Sequence, residues 1–281
     1  MLTSAEQRPA ADDLIVLGTR QSAASYLRDL WARRHFAFSL ADNDLRSKHM
    51  NSLLGQIWHL LNPALMIFVY FLIFGVVLEA RRGVENYITF LVVGVIVFRF
   101  AQNTILGCAQ CIPKNLGLIR SIQFPRALVP VSVLLENLLA IVPALGLVLA
   151  VAVIDGADLG LRTLLLPLVV IIGAIFTLGV GLAVARAGSA LTDLNQVLPH
   201  FFRIMFYTSG VLFNVKDAIG NETVQNLFAL NPFYCFVATA RWSLMGEPLT
   251  VYEAAGLFGW TVVALAFGFS YFRRAEHRFG A

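Results

Sequence analysis

Long apolar runs recur along this 281-residue chain and restrict its possible folds more than any other feature. A helix needs about 20 apolar residues to cross the roughly 30 Å hydrocarbon core of a bilayer, and stretches of that length appear repeatedly. Only 14% of the residues are charged, whereas soluble domains carry about 25%. Backbone groups in lipid must be satisfied within their own segment, and the alternating pattern of a β-barrel is absent. The predicted fold class is therefore an all-α integral membrane protein.

The apolar runs predict six transmembrane helices, at residues 57–78, 87–108, 129–154, 164–184, 196–214 and 254–272. The first 20 residues are polar and lack an apolar centre, so no signal peptide is expected and the amino terminus is placed in the cytosol. With both termini inside, most Lys and Arg residues of the loops lie on the inner side, as the positive-inside rule requires. Those placed outside are Arg81, Arg82, Arg162, Lys216 and Arg241. The predicted location is the cytoplasmic (inner) membrane, multi-pass, with both termini cytosolic.

One membrane domain and two short tails are expected. Residues 1–22 are predicted to be a disordered cytosolic tail, residues 23–272 the transmembrane domain with its six spans in 57–272, and residues 273–281 a second cytosolic tail. Within the domain, residues 23–50 are predicted to form an amphipathic interfacial helix in the inner headgroup layer. Its apolar side chains recur near helical spacing, and they include Leu27, Trp31 and Phe38. An ordinary soluble packing helix is the alternative.

The segment before the last span is unusual because it is placed outside although its middle is apolar. Residues 215–251 contain apolar pieces that are interrupted at Asn231 and Pro232 and are too short to cross a bilayer. Such pieces are typical of re-entrant helices, which enter the membrane and return to the same side. The alternative is an outer loop that packs on the spans.

Sequence motifs of enzymes and of metal sites are missing. The chain has no phosphate-cradling Gly-x-x-x-x-Gly-Lys-Ser/Thr loop, no Gly-x-Ser-x-Gly elbow, and no histidine pair at metal-binding spacing. Cys108 and Cys111 are interpreted as packing residues. The net charge of +4 is explained by membrane topology, so no nucleic-acid partner is expected. The sequence predicts a chain that is not an enzyme and that holds no cofactor or metal of its own.

A short basic insert lies between the second and third spans, at residues 114–130. Gly117 and Pro125 enclose about two helical turns, with apolar residues on one face and arginines available to acidic groups. The apolar residues are Leu118, Ile119 and Ile122, and the arginines are Arg120 and Arg126. This pattern predicts a short helix that docks in a groove of a cytosolic partner. The alternative is a plain basic loop that obeys the positive-inside rule.

From about residue 41 onwards, the chain resembles the permease subunit of ABC exporters for polysaccharides and polyol phosphates. The motifs that carry the resemblance are Asp44-Leu45-Arg46, residues 52–58, Leu61-Asn62-Pro63, residues 115–126 with Pro130, Thr192-Asp193-Leu194 before Pro199, and Leu230-Asn231-Pro232. The chain departs from the family pattern at residues 48–51, at Ala127 and at Gly210. The block at 115–126 is the most specific of these motifs.

The resemblance implies a homodimer of six-span subunits bound to two copies of a separate ATPase, which carries ATP and Mg. The implied cargo is a glycan on a polyprenyl diphosphate, of the O-antigen, teichoic acid, capsule or cell-wall galactan type. It also implies that the insert couples to the ATPase through Asn115, Leu118, Ile119, Arg120, Phe124 and Arg126. The alternative is a permease that exports a small amphipathic molecule or a lipid.

Charged and aromatic residues within the spans are the candidates for channel and substrate contacts. Arg99, Glu136 and Arg203 are costly at membrane depth, which makes them candidates for function. Arg99 either pairs with Glu136 or meets the cargo, and Arg203 is expected to meet phosphate or sugar hydroxyls. The aromatic candidates are Tyr70 and Phe74 in the first span and Phe202, Phe206 and Phe213 in the fifth. Packing of these rings against lipid or neighbouring helices is the alternative.

Overall fold

The structure, a computed structural model, describes residues 22–47, 57–77 and 84–276, and all regular structure in these ranges is helical. Residues 1–21 of the predicted tail 1–22, the motif residues 52–56, the predicted outer arginines Arg81 and Arg82, and residues 277–281 lie outside the described residues. The first helices are α1 (Ala23–Ala32), α2 (Arg34–Ser47), α3 (Trp58–Tyr70), α4 (Tyr87–Lys114), α5 (Leu116–Ser121) and α6 (Leu128–Ile154). They are followed by α7 (Leu166–Ala190), α8 (Leu194–Thr208), α9 (Val215–Ala218), α10 (Glu222–Phe228), α11 (Pro232–Met245) and α12 (Val251–Ala275).

Among the described residues, four helices are long and apolar enough to cross a membrane. They are α4, α6, α7 with its preceding 3-10 turn Leu161–Leu165, and α12. Both α4 and α7 end about six residues later in the sequence than predicted, at Lys114 and Ala190. The all-α membrane fold class is confirmed.

The first and fifth predicted spans are shorter than these four helices. α3 continues into a π-helical turn, Phe71–Val77, and its apolar part covers Leu61–Val77. α8 has 15 residues, which at 1.5 Å per residue gives about 22 Å. It ends at Thr208, before the predicted end at 214, because the chain turns at Gly210 with a φ of +60°. The count of six spans stays a prediction.

Between α8 and α12, the chain folds back into the helical bundle. The Asn231 amide at the start of α11 donates to the Ser209 hydroxyl (3.0 Å), and the Phe233 ring lies 5.7 Å from Phe176, ten residues into α7. The other end of α11 reaches Gly246, which packs against Arg162 just before α7 begins. α11 therefore runs from the interior of the bundle to the end at which α7 begins, and the re-entrant interpretation of this segment stays a prediction.

One of the predicted outer charges is not exposed. Arg241, which was predicted to lie on the outer side, belongs to α11 and is 3% exposed. It is buried because α11 packs between α4, α7 and α12, and its side of the membrane stays a prediction.

Candidate coupling and channel sites

The basic insert begins where α4 ends. The Asn115 side-chain amide donates to the Cys111 carbonyl (2.9 Å), which satisfies one of the last carbonyls of α4. α5 then makes about one and a half turns, and Ile122 follows in an extended conformation. Gly117 and Arg120 are exposed. The predicted short helix is therefore present, and it lies at the carboxyl-terminal end of α4.

The apolar residues of the insert do not share one face. Ile119 is 6% exposed and belongs to a buried cluster that includes Cys111, Ile112 and Val129. Ile122 is 48% exposed because the helix has already ended at Ser121. The predicted common docking face of these residues is wrong. Ile119 anchors the insert to its own chain, and the half-buried Leu118 stays next to the exposed Arg120.

The exit of the insert is held by distant parts of the chain. The Phe124 ring lies 5.3 Å from the Phe36 ring of α2. Arg126 donates through its backbone N–H to Glu276 Oε1 (2.7 Å) and through its guanidinium to the Glu276 carbonyl. Arg126 was predicted to be available to acidic groups of a partner. One nitrogen of its guanidinium binds Glu276 within the chain, while the half-buried side chain has further N–H donors, so a contact of Arg126 with a partner stays a prediction.

Residues 23–47 form two helices, which meet at Arg33, rather than one. Ala37 and Ala41 of α2 are buried, and α2 packs on α6. The apolar side chains Leu27, Trp31 and Phe38 are exposed. An exposed apolar stripe suits an interfacial helix, and that location stays a prediction.

Most of the predicted channel rings lie in an aromatic cluster inside the chain. Phe202 is 1% exposed and lies 6.3 Å from Phe98 and 5.6 Å from Phe233, measured between ring centroids. The buried Phe206 lies 5.2 Å from Phe98 and 5.3 Å from Tyr70. In this conformation the rings of Phe202 and Phe206 contact neighbouring helices, which agrees with the alternative interpretation that they are packing residues. Phe74 and Phe213 are half-buried at the edge of the same core.

The contacts of Arg99 lie on α3. Its guanidinium donates to the Met66 sulfur and lies beside the Tyr70 hydroxyl. Glu136 is buried on α6. The geometry thus connects Arg99 to the first predicted span, and its pairing with Glu136 stays a prediction.

Arg203 differs from the other predicted channel residues because its side chain is exposed. α8 buries only a narrow stripe, formed by Leu198, Phe202 and Phe206 at four-residue spacing. Its remaining surface carries Gln196, His200, Arg203 and Tyr207. An exposed cation on a membrane helix is costly in lipid, so this face is a candidate for contact with a charged ligand or with another subunit.

An outer polar network was missed from the sequence. Arg241 donates to the carbonyls of Phe90, Gly210 and Val211, and Tyr87 donates to the Leu212 carbonyl (2.9 Å). In the same region the buried Glu253 carboxylate accepts from the Tyr234 hydroxyl (2.8 Å) and pairs with Lys216 (3.2 Å). The signal that could have revealed it is the single charge of Arg241 in the otherwise apolar stretch 232–245.

Metal binding has no support in the described part of the chain, where no group of three or more His, Cys, Asp or Glu side chains is placed to hold an ion.

Comparison with known proteins decides the family. Residues 37–245 match the family described as ABC-2 type transporter. The chain belongs to this family. The O-antigen export system permease protein RfbA of Myxococcus xanthus is 30% identical over 207 residues, which cover 73% of this chain and 78% of that protein. A protein of the same name from Klebsiella pneumoniae is 23% identical over 241 residues, which cover 85% and 92%. Membership among the ABC-2 type transporters agrees with the family resemblance seen in the sequence.

Proposed function

We propose that this chain is the permease subunit of an ABC exporter that moves a polysaccharide outwards across the cytoplasmic membrane. The observation that carries the proposal is the match to O-antigen export permeases over most of the chain. The chain is a transport component without catalytic residues of its own, and ATP hydrolysis belongs to a separate subunit. The ATP, the Mg and the energy for transport therefore reach the channel through a docked ATPase.

The proposed assembly contains two copies of this chain and two ATPase subunits, with both termini of the permease in the cytosol. Its cargo is a glycan on a polyprenyl diphosphate, for which a cell-wall galactan is one example. Two features support this arrangement. The insert places the exposed Arg120 beyond the cytosolic end of α4. On α8, the side chain of Arg203 is exposed on the surface of the chain.

We expect the double variant Leu118→Asp, Arg120→Glu to lose the ATPase. Truncation or charge reversal of a hot-spot residue at the centre of an interface costs about 2 kcal/mol or more, which corresponds to a loss of affinity of about thirtyfold or more. The measurement is the amount of ATPase that co-purifies with the solubilised permease. Because both side chains are at least partly exposed, the variant should still accumulate in the membrane.

The matched control is Leu159→Asp, an exposed leucine in the loop before α7, at the opposite end of the bundle. It should co-purify the ATPase normally. Unchanged co-purification by the double variant would assign ATPase docking to another surface.

Arg203→Ala is expected to weaken capture of the lipid-linked cargo. A guanidinium matches two phosphate oxygens at once, whereas an ammonium offers a single point charge, so Arg203→Lys should keep only part of the binding. Photo-crosslinking of a polyprenyl diphosphate probe should fall about tenfold in Arg203→Ala, since a charge-assisted hydrogen bond contributes about 1.5–3 kcal/mol. The control is Ile204→Ala, the exposed neighbour. Equal probe capture by Arg203→Ala and Ile204→Ala would mean that the cargo enters elsewhere.

A further inference from the structure

Three segments that are far apart in the sequence meet at the cytosolic end of the bundle. Tyr26 belongs to α1, Arg126 leads from the insert into α6, and Glu276 follows α12. One oxygen of the Glu276 carboxylate accepts from the Tyr26 hydroxyl (2.8 Å) and from the backbone N–H of Arg126 (2.7 Å). A carboxylate that accepts two hydrogen bonds holds both donors more strongly than a neutral acceptor would.

Further contacts close this network. The Arg126 guanidinium donates to the Glu276 carbonyl, and the backbone N–H of Ala127 donates to the Tyr26 hydroxyl (3.3 Å). The Arg273 guanidinium lies 5.6 Å from the centre of the Tyr26 ring. Burial and then the neighbouring Glu276 raise the pKa of Tyr26, so its hydroxyl stays protonated and remains a donor. Each member of the network thus contacts at least one residue from another segment.

The last residues of the insert are also attached to the amino-terminal helices. Arg33 donates to the Gln123 carbonyl (2.7 Å), next to the contact between Phe36 and Phe124. By contrast, α5 is attached to the end of α4 through Asn115 and the buried Ile119. The insert is therefore held at two places, and the second place joins it to α1, α2 and the end of α12.

We propose that Glu276 is the positioning residue of the coupling insert. Its carboxylate holds the exit of the insert against α1 and α12, so a displacement of the insert moves the amino-terminal helices and the last span together. The displacement by an ATPase rests on the proposed function, whereas the attachment itself rests only on the contacts of this chain. Loss of the carboxylate should leave the exposed docking residues in place and break the mechanical connection behind them.

The attachment is tested by cross-linking between Ala32→Cys and Gln123→Cys with a short bifunctional maleimide. Both positions are exposed, and Ala32 is next to Arg33, which donates to the Gln123 carbonyl. The native cysteines Cys108, Cys111 and Cys235 are buried. Addition of Glu276→Ala should lower the cross-linked fraction at least fivefold. Glu276→Gln keeps a side-chain acceptor and should stay within about twofold of the parent.

The coupling is tested in the complex with the ATPase. Glu276→Ala should co-purify the ATPase in normal amounts, while cargo exported per ATP hydrolysed falls about tenfold, and Glu276→Gln should restore most of it. A merely structural role would lower the amount of complex and its coupling together. Arg274→Ala, an exposed residue at the same end of α12, is the matched control and should change neither quantity.

Tyr26→Phe provides a second route if Glu276→Ala fails to accumulate, because it removes one donor and keeps the ring. Tyr26→Phe should lower the cross-linked fraction as well. Where Glu276→Ala does accumulate, combining the two substitutions should cause little further loss, since both act on one network. Undiminished cross-linking in Glu276→Ala or in Tyr26→Phe would overturn the inference. Reduced cross-linking in a permease whose parent binds no ATPase would uphold the attachment and refute the proposed function.

Discussion

Replacing Gly268 by valine should prevent the chain from accumulating as a folded membrane protein. Gly268 of α12 faces Gly179 of α7 so closely that a Cβ atom at position 268 would lie 1.8 Å from the Gly179 carbonyl oxygen. A Cβ atom at Gly179 would lie 2.4 Å from the carbonyl carbon of Ala264. Both obstacles are backbone atoms, which cannot turn aside as a side chain can.

The loss of stability should be large because α7 and α12 cross at these two glycines. Small residues let membrane helices approach closely, and packing at such contacts is a main source of their association. α7 and α12 form the most extensive helix pair of the described residues, so separating them disturbs a large part of the bundle. Overpacking a core side chain typically costs about 1–3 kcal/mol, and a collision with backbone should exceed this. We therefore expect a loss of more than about 3 kcal/mol.

Gly259→Val is the matched control, because Gly259 lies on the same helix and a Cβ atom there meets nothing within 4 Å. Size-exclusion profiles and thermal denaturation of the solubilised protein are the measurements. Gly259→Val should be close to the parent, while Gly268→Val should be aggregated or absent. Indistinguishable profiles for the two variants would show that α12 can shift away from α7 at little cost.

The long helices could be predicted from the sequence because their cause is local. Length and apolar content decide whether a helix can cross a bilayer, and both are read from one window of the chain. The end of α8 could not be predicted in this way. The helix stops at Thr208, and the Gly210 carbonyl just beyond it is held by Arg241, 31 residues further along the chain.

The coupling insert, likewise, could be predicted only as far as its local features go. Its existence and its basic character were visible in the sequence, since a short helix with Arg120 needs only local residues. The direction of each side chain depends on distant partners. Phe124 meets Phe36, and Arg126 meets Glu276 across 150 residues of chain. No periodicity within the insert carries information about these contacts.

The role of the aromatic residues in the spans could not be predicted either, because it too depends on tertiary packing. The spacing of Phe202 and Phe206 correctly places both rings on one face of α8. Which partner that face meets is decided by tertiary packing, and here it meets Phe98 and Phe233. A ring that binds sugar and a ring that packs against another ring need the same residue types at the same spacing.

Arg241→Met should be as disruptive as any single substitution at the end of the bundle where α4 begins. The guanidinium donates to the Phe90 carbonyl (3.2 Å), the Gly210 carbonyl (2.8 Å) and the Val211 carbonyl (2.8 Å), and it lies 3.2 Å above the Phe90 ring. A buried charge is tolerated only when it is well hydrogen-bonded, and these carbonyls supply the partners. Arg241 therefore ties the turn after α8 to the start of α4.

Methionine has a similar length but no donors, so the Gly210 and Val211 carbonyls would lose their donor, and the Phe90 carbonyl, which lies inside α4, would lose an additional one. Each buried group left unsatisfied costs about 1–3 kcal/mol, which gives a combined loss of roughly 3–5 kcal/mol after partial relaxation. Arg241→Lys should recover less than half of this, because an ammonium cannot reach three carbonyls in the fixed geometry of the guanidinium. Thermal denaturation of the solubilised protein measures the loss, with the exposed Arg274→Met as the matched control.

Cys235 offers an independent local readout of the same substitution. It lies on α11 about one and a half turns before Arg241, is fully buried, and its thiol donates to the Ala229 carbonyl. If Arg241 holds α11 and the turn after α8 together, its loss should expose this thiol and raise its rate of maleimide labelling at least tenfold, as resolved by peptide mass spectrometry. Cys108, in the carboxyl-terminal half of α4, should stay unreactive because its surroundings do not include Arg241. Parent-like labelling of Cys235 together with a parent-like Tm would show that the carbonyls find other donors and that the arginine is dispensable for the outer turn.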